Sequence, residues 1–193
     1  PVPWPRMAPL ARQMAEALDA AHRAGVVHRD FKSGNVILVS DAGGDERAVV
    51  TDFGIAHAWS DEPPAAAQGA SRMSRGTPPY MAPEQFAGSP ATMSSDVYAF
   101  GVVVWELLAG TTPFGDGVDA EQAMKVRHEP PTVPGDAQLP LRWQAILRRC
   151  LASDPADRYP TAAALLDAIQ RAEHTGATGR RWMLGLAATG AAS

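Results

Sequence analysis

Two short stretches of the sequence gather side chains whose types could do chemistry together. They are His28-Arg29-Asp30-Phe31-Lys32-Ser33-Gly34-Asn35 and Asp52-Phe53-Gly54. Asn35 and Asp52 offer oxygen atoms of the kind that a hard cation such as Mg²⁺ binds, and Asp30 offers a carboxylate that could accept a proton. Lys32 adds a positive charge two residues after Asp30. Residues of these types can bind a cation, accept a proton and neutralise negative charge.

A third stretch lies downstream and has the sequence Gly76-Thr77-Pro78-Pro79-Tyr80-Met81-Ala82-Pro83-Glu84. In this order the three stretches resemble the catalytic loop, the magnesium-binding motif and the end of the activation segment of protein kinases. The resemblance runs from about Arg6 to Ala172 and is to the eukaryotic-like serine/threonine kinases of bacteria. It implies an α+β protein-kinase-like fold, here a mainly helical C-terminal lobe with a short β-hairpin at the catalytic loop.

The resemblance implies a role for each polar residue of the first two stretches in transferring the γ-phosphoryl group of ATP to a protein hydroxyl. Asp30 would orient the substrate hydroxyl and accept its proton. Lys32 would meet the γ-phosphate, and a lysine here marks serine/threonine specificity in the family. Asn35 and Asp52 would hold Mg²⁺ against the phosphates. The implied partners are ATP, Mg²⁺ and a protein with exposed serine or threonine, in bacterial signalling.

Regulatory residues are implied by the same resemblance. Arg29 would receive a phosphate on the activation segment, because a guanidinium binds phosphate through two hydrogen bonds and so orders a loop. Ser71 and Ser74, each followed by an arginine, are candidate phosphate carriers. Thr77, which in the family closes on the catalytic aspartate, is a third candidate. One sequence does not choose among the three.

Three further residues are implied to be structural. Asp96 falls where the family anchors its catalytic loop from the central helix. Glu84 and Arg158 fall where the family forms an ion pair between the activation segment and the last helices. The sequence also departs from the family at two places, since Phe31 stands where leucine is common and Ser33 where proline is common.

Two other classes of function stay open beside the kinase. One is a non-catalytic pseudokinase or scaffold, which would be free to lose Asp30, Lys32, Asn35 and Asp52, yet all four are present. The other is a small-molecule phosphotransferase, which would share some of these residues. That class lacks the activation segment that ends at Glu84, so the protein kinase is favoured.

The elements that would position these residues follow from hydrophobic spacing. Apolar residues three to four apart predict an amphipathic helix over Arg6 to Ala24. The short runs Val36 to Val39 and Ala48 to Thr51 predict a β-hairpin. Ser94 to Ala109 has almost no polar face and should be the buried central helix. Further segments are predicted as helices at Asp119 to His128, Leu141 to Leu151 and Thr161 to Ala172, and as a long loop from Ser60 to Pro83.

The composition of the chain limits which functions and which compartment fit it. The chain has 193 residues, 17 Lys+Arg against 21 Asp+Glu, and a formal net charge of −4. This acidic balance predicts no nucleic-acid partner. The one cysteine, Cys150, cannot form an internal disulfide and is expected to be a small core residue in a reduced compartment. Among the histidines, His28 is expected to be packed and structural, and the others to be surface or partly buried: His22, His57, His128 and His174.

Both ends of the chain suggest a longer parent protein. No Gly-rich phosphate loop or ATP-binding lysine precedes Arg6, so residues 1–173 are expected to be a C-lobe without its N-lobe and inactive alone. Residues 174–181 would be a linker, and residues 182–193 the start of a membrane-spanning helix preceded by two arginines. An Ala/Gly tail is the alternative. The kinase domain would then be cytoplasmic in a single-pass inner-membrane protein, with homodimers expected for autophosphorylation.

Overall fold

The computed structural model describes residues 1–40, 43–53, 78–114, 131 and 139–186. These residues form a mainly helical structure with a two-stranded antiparallel sheet, as the sequence predicted. The helices are α1 (Trp4–Arg23), α2 (Pro83–Phe86), α3 (Met93–Ala109), α4 (Leu141–Cys150) and α5 (Ala162–Leu186). The strands are β1 (Val36–Ser40) and β2 (Glu46–Val50), and short 3₁₀ turns lie at Ser33–Asn35, Pro78–Tyr80 and Pro155–Asp157.

Helix α3 is the centre of the core and is buried along nearly its whole length, which confirms the prediction made from its apolar sequence. It begins where the Thr92 hydroxyl accepts a hydrogen bond from the backbone N–H of Ser95, and it ends at Gly110, whose φ of 81° is left-handed. Helices α1, α4 and α5 all pack against it. A Cβ atom on Gly101 would lie 2.9 Å from the Cβ of Cys150, so α3 and α4 approach each other through a glycine.

The β-hairpin packs against helix α1. The helix buries Leu10, Met14 and Leu18 on one face, as its spacing predicted. On another face, the Gln13 side-chain oxygen accepts a hydrogen bond of 2.6 Å from the backbone N–H of Ala48 in β2. Arg6 also forms a pair of 2.6 Å hydrogen bonds with the Glu46 carboxylate. The hairpin is therefore attached to α1 by side chains as well as by apolar packing.

The hairpin itself has a simple antiparallel register, in which Val36 lies opposite Val50 and Ser40 opposite Glu46. The register confirms the predicted strands within one or two residues at each end. Three apolar side chains of β1 are exposed despite their size, and they are Ile37, Leu38 and Val39. Cys150 is buried as expected, and burial raises the pKa of its thiol far above the ordinary range, so the group stays protonated.

Helix α5 corrects one prediction. We expected a helix to end near Ala172, but α5 runs without a break to Leu186. The assignment of residues 174–181 as a linker between domains stays a prediction. Alanine, arginine, methionine and leucine are strong helix formers, and together they outweigh glycines that each oppose a helix by about 1 kcal/mol. Within the described residues, no helix is both long enough and apolar enough to cross a bilayer.

Several predictions fall outside the described residues. They concern the helix expected at Asp119 to His128, His57, the candidate phosphate carriers Ser71, Ser74 and Thr77, residues 187–193, and all of the long loop before Pro78. The described end of that loop is the 3₁₀ turn Pro78–Tyr80, and α2 begins at Pro83, where the loop was expected to end.

Candidate active site

The loop between α1 and β1 is held in place by one buried carboxylate of α3. Asp96 is 2 % exposed, and it accepts hydrogen bonds from the backbone N–H groups of His28 at 2.7 Å and Arg29 at 2.9 Å. Arg29 has a φ of 69°, a left-handed conformation that costs an ordinary residue about 1–2 kcal/mol. The two hydrogen bonds to Asp96 help to hold the backbone in that conformation. The structure thus places Asp96 where the resemblance implied it, beneath the loop.

His22 is part of the same anchor, and here the expectation of a surface or partly buried histidine was wrong. The residue is 6 % exposed. Its Nδ1 accepts a 3.1 Å hydrogen bond from the backbone N–H of Ala162, so Nε2 carries the proton and donates at 2.9 Å to Asp96. A single imidazole therefore joins α1, α3 and the start of α5.

Asp30 sits at the centre of the loop and is fixed from two directions. The Lys32 amine donates a 2.6 Å hydrogen bond to its carboxylate oxygen Oδ2. The Asn35 side-chain amide donates a 2.8 Å hydrogen bond to its backbone carbonyl. The side chains of Asp30 and Lys32 are about one-third exposed, at 35% and 29%, so both remain accessible to a reactant. The three residues that the resemblance assigned to catalysis are thus in mutual contact.

The hairpin brings Asp52 back to Asn35. Asn35 directly precedes β1, and Thr51 directly follows β2; the Thr51 backbone N–H donates a 2.9 Å hydrogen bond to the Asn35 carbonyl. Asp52, the next residue, is exposed and has a left-handed φ of 58°, which aspartate tolerates better than most residues. The Asn35 side-chain nitrogen donates a hydrogen bond to the Asp30 backbone, and the side-chain oxygen is the atom of this amide that can bind a cation. The donor set of one amide and one carboxylate oxygen fits Mg²⁺, which keeps several of its ligands as water or phosphate oxygens.

His28 packs beneath both stretches, which confirms its predicted structural role. It is fully buried, and its Nε2 donates a 3.0 Å hydrogen bond to the Thr51 carbonyl. Its ring lies 5.4 Å from the Phe31 ring and 4.7 Å from the Phe53 ring, measured between centroids. The imidazole therefore couples the Asp30 loop to the residues around Asp52 by packing and one hydrogen bond.

The loop of residues 28–35 forms one wall of the site, and residues 78–86 form a second wall. A cleft between this segment and the loop is lined by Asp30, Tyr80, Met81 and Gln85. Arg29 also lines the cleft, and its side chain is exposed, as a receiver for a phosphate would need. Tyr80 donates a 2.7 Å hydrogen bond to Glu106 of α3. Sequence reasoning assigned no role to Tyr80 or Glu106, because a contact between residues so far apart in the chain leaves no local pattern.

Glu84 and Arg158 form an ion pair that connects residues 78–86 to the turn Pro155–Asp157 before α5. Arg158 is 1 % exposed and donates two hydrogen bonds of 2.8 Å to the Glu84 carboxylate. Its remaining donors reach the backbone carbonyls of Ala152, Ser153 and Ser94. Burial alone would raise the pKa of the Glu84 carboxyl, but the hydrogen bonds and charge of Arg158 outweigh it, so that pKa lies below its ordinary value.

Comparison with known proteins places this arrangement in a family. Residues 4–168 match the protein kinase domain. The chain is 38% identical over 173 residues to the serine/threonine-protein kinase Pkn1 of Myxococcus xanthus, 41% over 155 residues to PkaA of Streptomyces coelicolor, and 39% over 179 residues to PknE of Mycobacterium tuberculosis. These matches cover 88%, 77% and 89% of the chain, respectively. They cover only 24%, 26% and 29% of the relatives, so the chain spans about a quarter of their length.

Replacing Arg158 should destabilise the protein severely. Arg158→Ala leaves the Glu84 carboxylate without its partner in a mostly buried place, which for a buried pair costs about 3–5 kcal/mol. Arg148→Ala, at an exposed position of α4, should change stability by no more than about 0.5 kcal/mol. Urea unfolding at pH 7 measures both variants, and equal stability losses would contradict a buried pair.

The contribution of this pair should depend on pH in a defined direction. The folded pKa of Glu84 is lowered from 4.5, so the stabilisation is complete above that pH and is lost as the pH falls through 4.5 towards the folded pKa. The stability difference between wild type and Arg158→Ala should therefore shrink on acidification. Unfolding curves between pH 7 and pH 3.5 test this, and a difference that grows towards low pH would contradict the assigned direction.

Replacing Asp96 should loosen the anchor of the loop. Asp96→Asn keeps the shape but puts an NH₂ group where two backbone N–H groups and an imidazole N–H converge, so at least one buried donor loses its acceptor. One such loss costs about 1–3 kcal/mol, which for a chain of this size lowers the melting temperature by several degrees. Asp167→Asn, on the exposed face of α5, is the matched control. Thermal unfolding followed by circular dichroism separates the two, and similar melting temperatures would refute the anchor.

Proposed function

This chain belongs to the protein kinase family, and we propose that it transfers the γ-phosphoryl group of ATP to serine or threonine hydroxyls of proteins. The observation that carries the proposal is the position of Asp30. Its carboxylate contacts Lys32, its backbone contacts Asn35, and it borders the cleft formed with residues 78–86. This position supports a role between metal and phosphate, which Asn35 would help to bind, and a protein substrate in the cleft.

The nucleotide side is built from Asn35 and Asp52. The side-chain oxygen of Asn35 and the exposed carboxylate of Asp52 would hold Mg²⁺ and ATP, since the hairpin brings the two residues together. Mg²⁺, when bound, neutralises charge on the phosphates and keeps them in a fixed geometry. Next to this pair, β1 exposes Ile37 and Val39 on one face of the strand, an apolar surface that would suit the flat face of a purine, and Leu38 on the other face.

The chemistry left to the protein is mainly positioning. The Asp30 carboxylate would accept a hydrogen bond from the substrate hydroxyl, orient its oxygen towards the γ-phosphate and take up its proton. The Lys32 ammonium, 2.6 Å from Asp30, would place positive charge where charge develops on the transferred group. The presence of both residues, in contact, supports an enzyme over a scaffold, and the segment ending at Glu84 supports a protein substrate over a small molecule.

We further propose that the natural protein is tethered to a membrane with this domain in the cytoplasm. Arg180 and Arg181 precede an uncharged run over residues 182–193, and arginines in such a place favour the cytoplasmic side. A span needs about 20 apolar residues, more than this run contains. Pairing of two copies for autophosphorylation stays a prediction.

Fractionation of cells that produce the natural protein tests the tether. We expect the protein in the membrane fraction, released by detergent and not by high salt, because an apolar span resists salt. A variant without residues 182–193 should move to the supernatant. Recovery of the unaltered protein in the supernatant without detergent would rule the tether out.

The catalytic assignment is tested in the natural protein by Asp30→Asn. The substitution keeps the shape and the contact with Lys32 but removes the base, so phosphoryl transfer should fall by about 10²-fold or more while nucleotide binding is kept. Asp52→Asn should instead weaken Mg²⁺-dependent nucleotide binding. Transfer of radiolabelled phosphate and fluorescent-nucleotide titration measure the two effects. Asp167→Asn is the control, and full activity of Asp30→Asn would refute the assignment.

A further inference from the structure

Ser33 makes a contact that joins the two walls of the site. It follows Lys32 in the loop, and its hydroxyl oxygen lies 2.9 Å from the phenolic oxygen of Tyr80 in the 3₁₀ turn Pro78–Tyr80. Tyr80 in turn lies 2.7 Å from the Glu106 carboxylate on α3. The three side chains thus form one line of hydrogen bonds from the Asp30 loop, through the second wall, to the central helix.

The direction of these hydrogen bonds follows from the groups themselves. A carboxylate only accepts, and a phenol has one hydrogen, so Tyr80 gives its hydrogen to Glu106. The contact between Ser33 and Tyr80 is then possible only if the serine hydroxyl donates. Each hydrogen bond strengthens the next in such a chain, because a phenol that donates to a charged acceptor is itself a better acceptor.

We infer that Ser33 is a positioning residue for residues 78–84, which it holds against the catalytic loop through Tyr80. The consequence of this contact for catalysis rests on the proposed function: Ser33 would determine where the protein substrate binds relative to Asp30. The nucleotide would be unaffected, because Asn35 and Asp52 lie on the hairpin side, whereas Tyr80 and Met81 line the cleft beside Asp30.

The sequence makes this link particular to the chain. Ser33 stands where proline is common in the family, and proline has no hydroxyl to donate. A serine here therefore adds a connection between the loop and residues 78–84 that the family's usual residue cannot make. Removal of the Ser33 hydroxyl should weaken that connection without leaving a cavity in the core, since Ser33 is only partly buried.

Hydrogen exchange tests the link directly. The amides of Met81 and Ala82 are hydrogen-bonded within the segment, to the Pro78 carbonyl at 3.3 Å and the Gln85 side chain at 2.9 Å. In Ser33→Ala we expect both amides to exchange about threefold to tenfold faster, as for the loss of one hydrogen bond. Ser33→Thr should restore slow exchange, and Ser89→Ala, at an exposed position after α2, should change nothing.

A double-mutant cycle identifies Tyr80 as the partner. Tyr80→Phe removes the phenolic oxygen and keeps the ring, so it should speed exchange by itself. If the two side chains act through one contact, Ser33→Ala should add little in the Tyr80→Phe background. Fully additive effects on exchange would overturn the assignment of Tyr80 as the group that Ser33 positions.

Steady-state kinetics tests the consequence for the substrate in the natural protein. In Ser33→Ala we expect KM for a peptide substrate to rise about threefold to tenfold, with KM for ATP and kcat little changed and Ser33→Thr close to wild type. A change confined to KM for ATP or to kcat would overturn the substrate-side role.

The two measurements separate this inference from the proposed function. Unchanged exchange at Met81 and Ala82 in Ser33→Ala would overturn the inference whatever the activity of the protein. Faster exchange, in a wild-type protein that transfers no phosphoryl group, would support the link between the two walls and count against the kinase activity instead.

Discussion

The carboxylate of Asp96 is the constraint on which the site depends. A charge buried in the core is tolerated only when hydrogen bonds replace the lost water, and here they come from the backbone of His28 and Arg29 and from the ring of His22. Two of the donors belong to the loop after α1, and the third, the His22 ring, belongs to α1 and also accepts a hydrogen bond from Ala162 at the start of α5. The need to satisfy one charge therefore fixes α1, the loop of residues 28–35 and the start of α5 relative to the largely buried helix α3.

From this anchor the remaining polar residues are placed by short connections. The hairpin leaves the loop after Asn35 and returns at Thr51, so Asn35 and Asp52, the two proposed ligands of Mg²⁺, lie at adjoining ends of the two strands. The left-handed backbone at Arg29 and Asp52 lies directly beside these connections. Strained conformations of this kind persist where the surrounding contacts determine the backbone more strongly than its own preference does. The anchor and the hairpin together therefore provide a rigid frame for a site whose reactants arrive from outside.

The parts that sequence reasoning predicted are those with a local pattern. Helices α1 and α3 and the hairpin follow from spacing, because a buried face imposes a period of 3.6 or 2 on its residues. The candidate catalytic residues Asp30, Lys32 and Asn35 were identified from motifs, and their roles in catalysis stay predictions. His22 was missed because its partners are distant in sequence: Asp96 lies in another helix, and Ala162 lies near the opposite end of the chain. The end of α5 was missed because glycines suggested a linker where strong helix formers decide the conformation.

The hydrogen bond between Gln13 and β2 has a consequence for the behaviour of the protein among its own copies. A two-stranded sheet exposes N–H groups at its edges, and such groups can template the addition of a strand from another molecule. The Ala48 N–H points away from β1 and is already bound by the Gln13 side chain, while Arg6 covers Glu46 at the same edge. Helix α1 therefore shields the outer edge of β2 against β-sheet association, next to a strand whose apolar side chains are exposed.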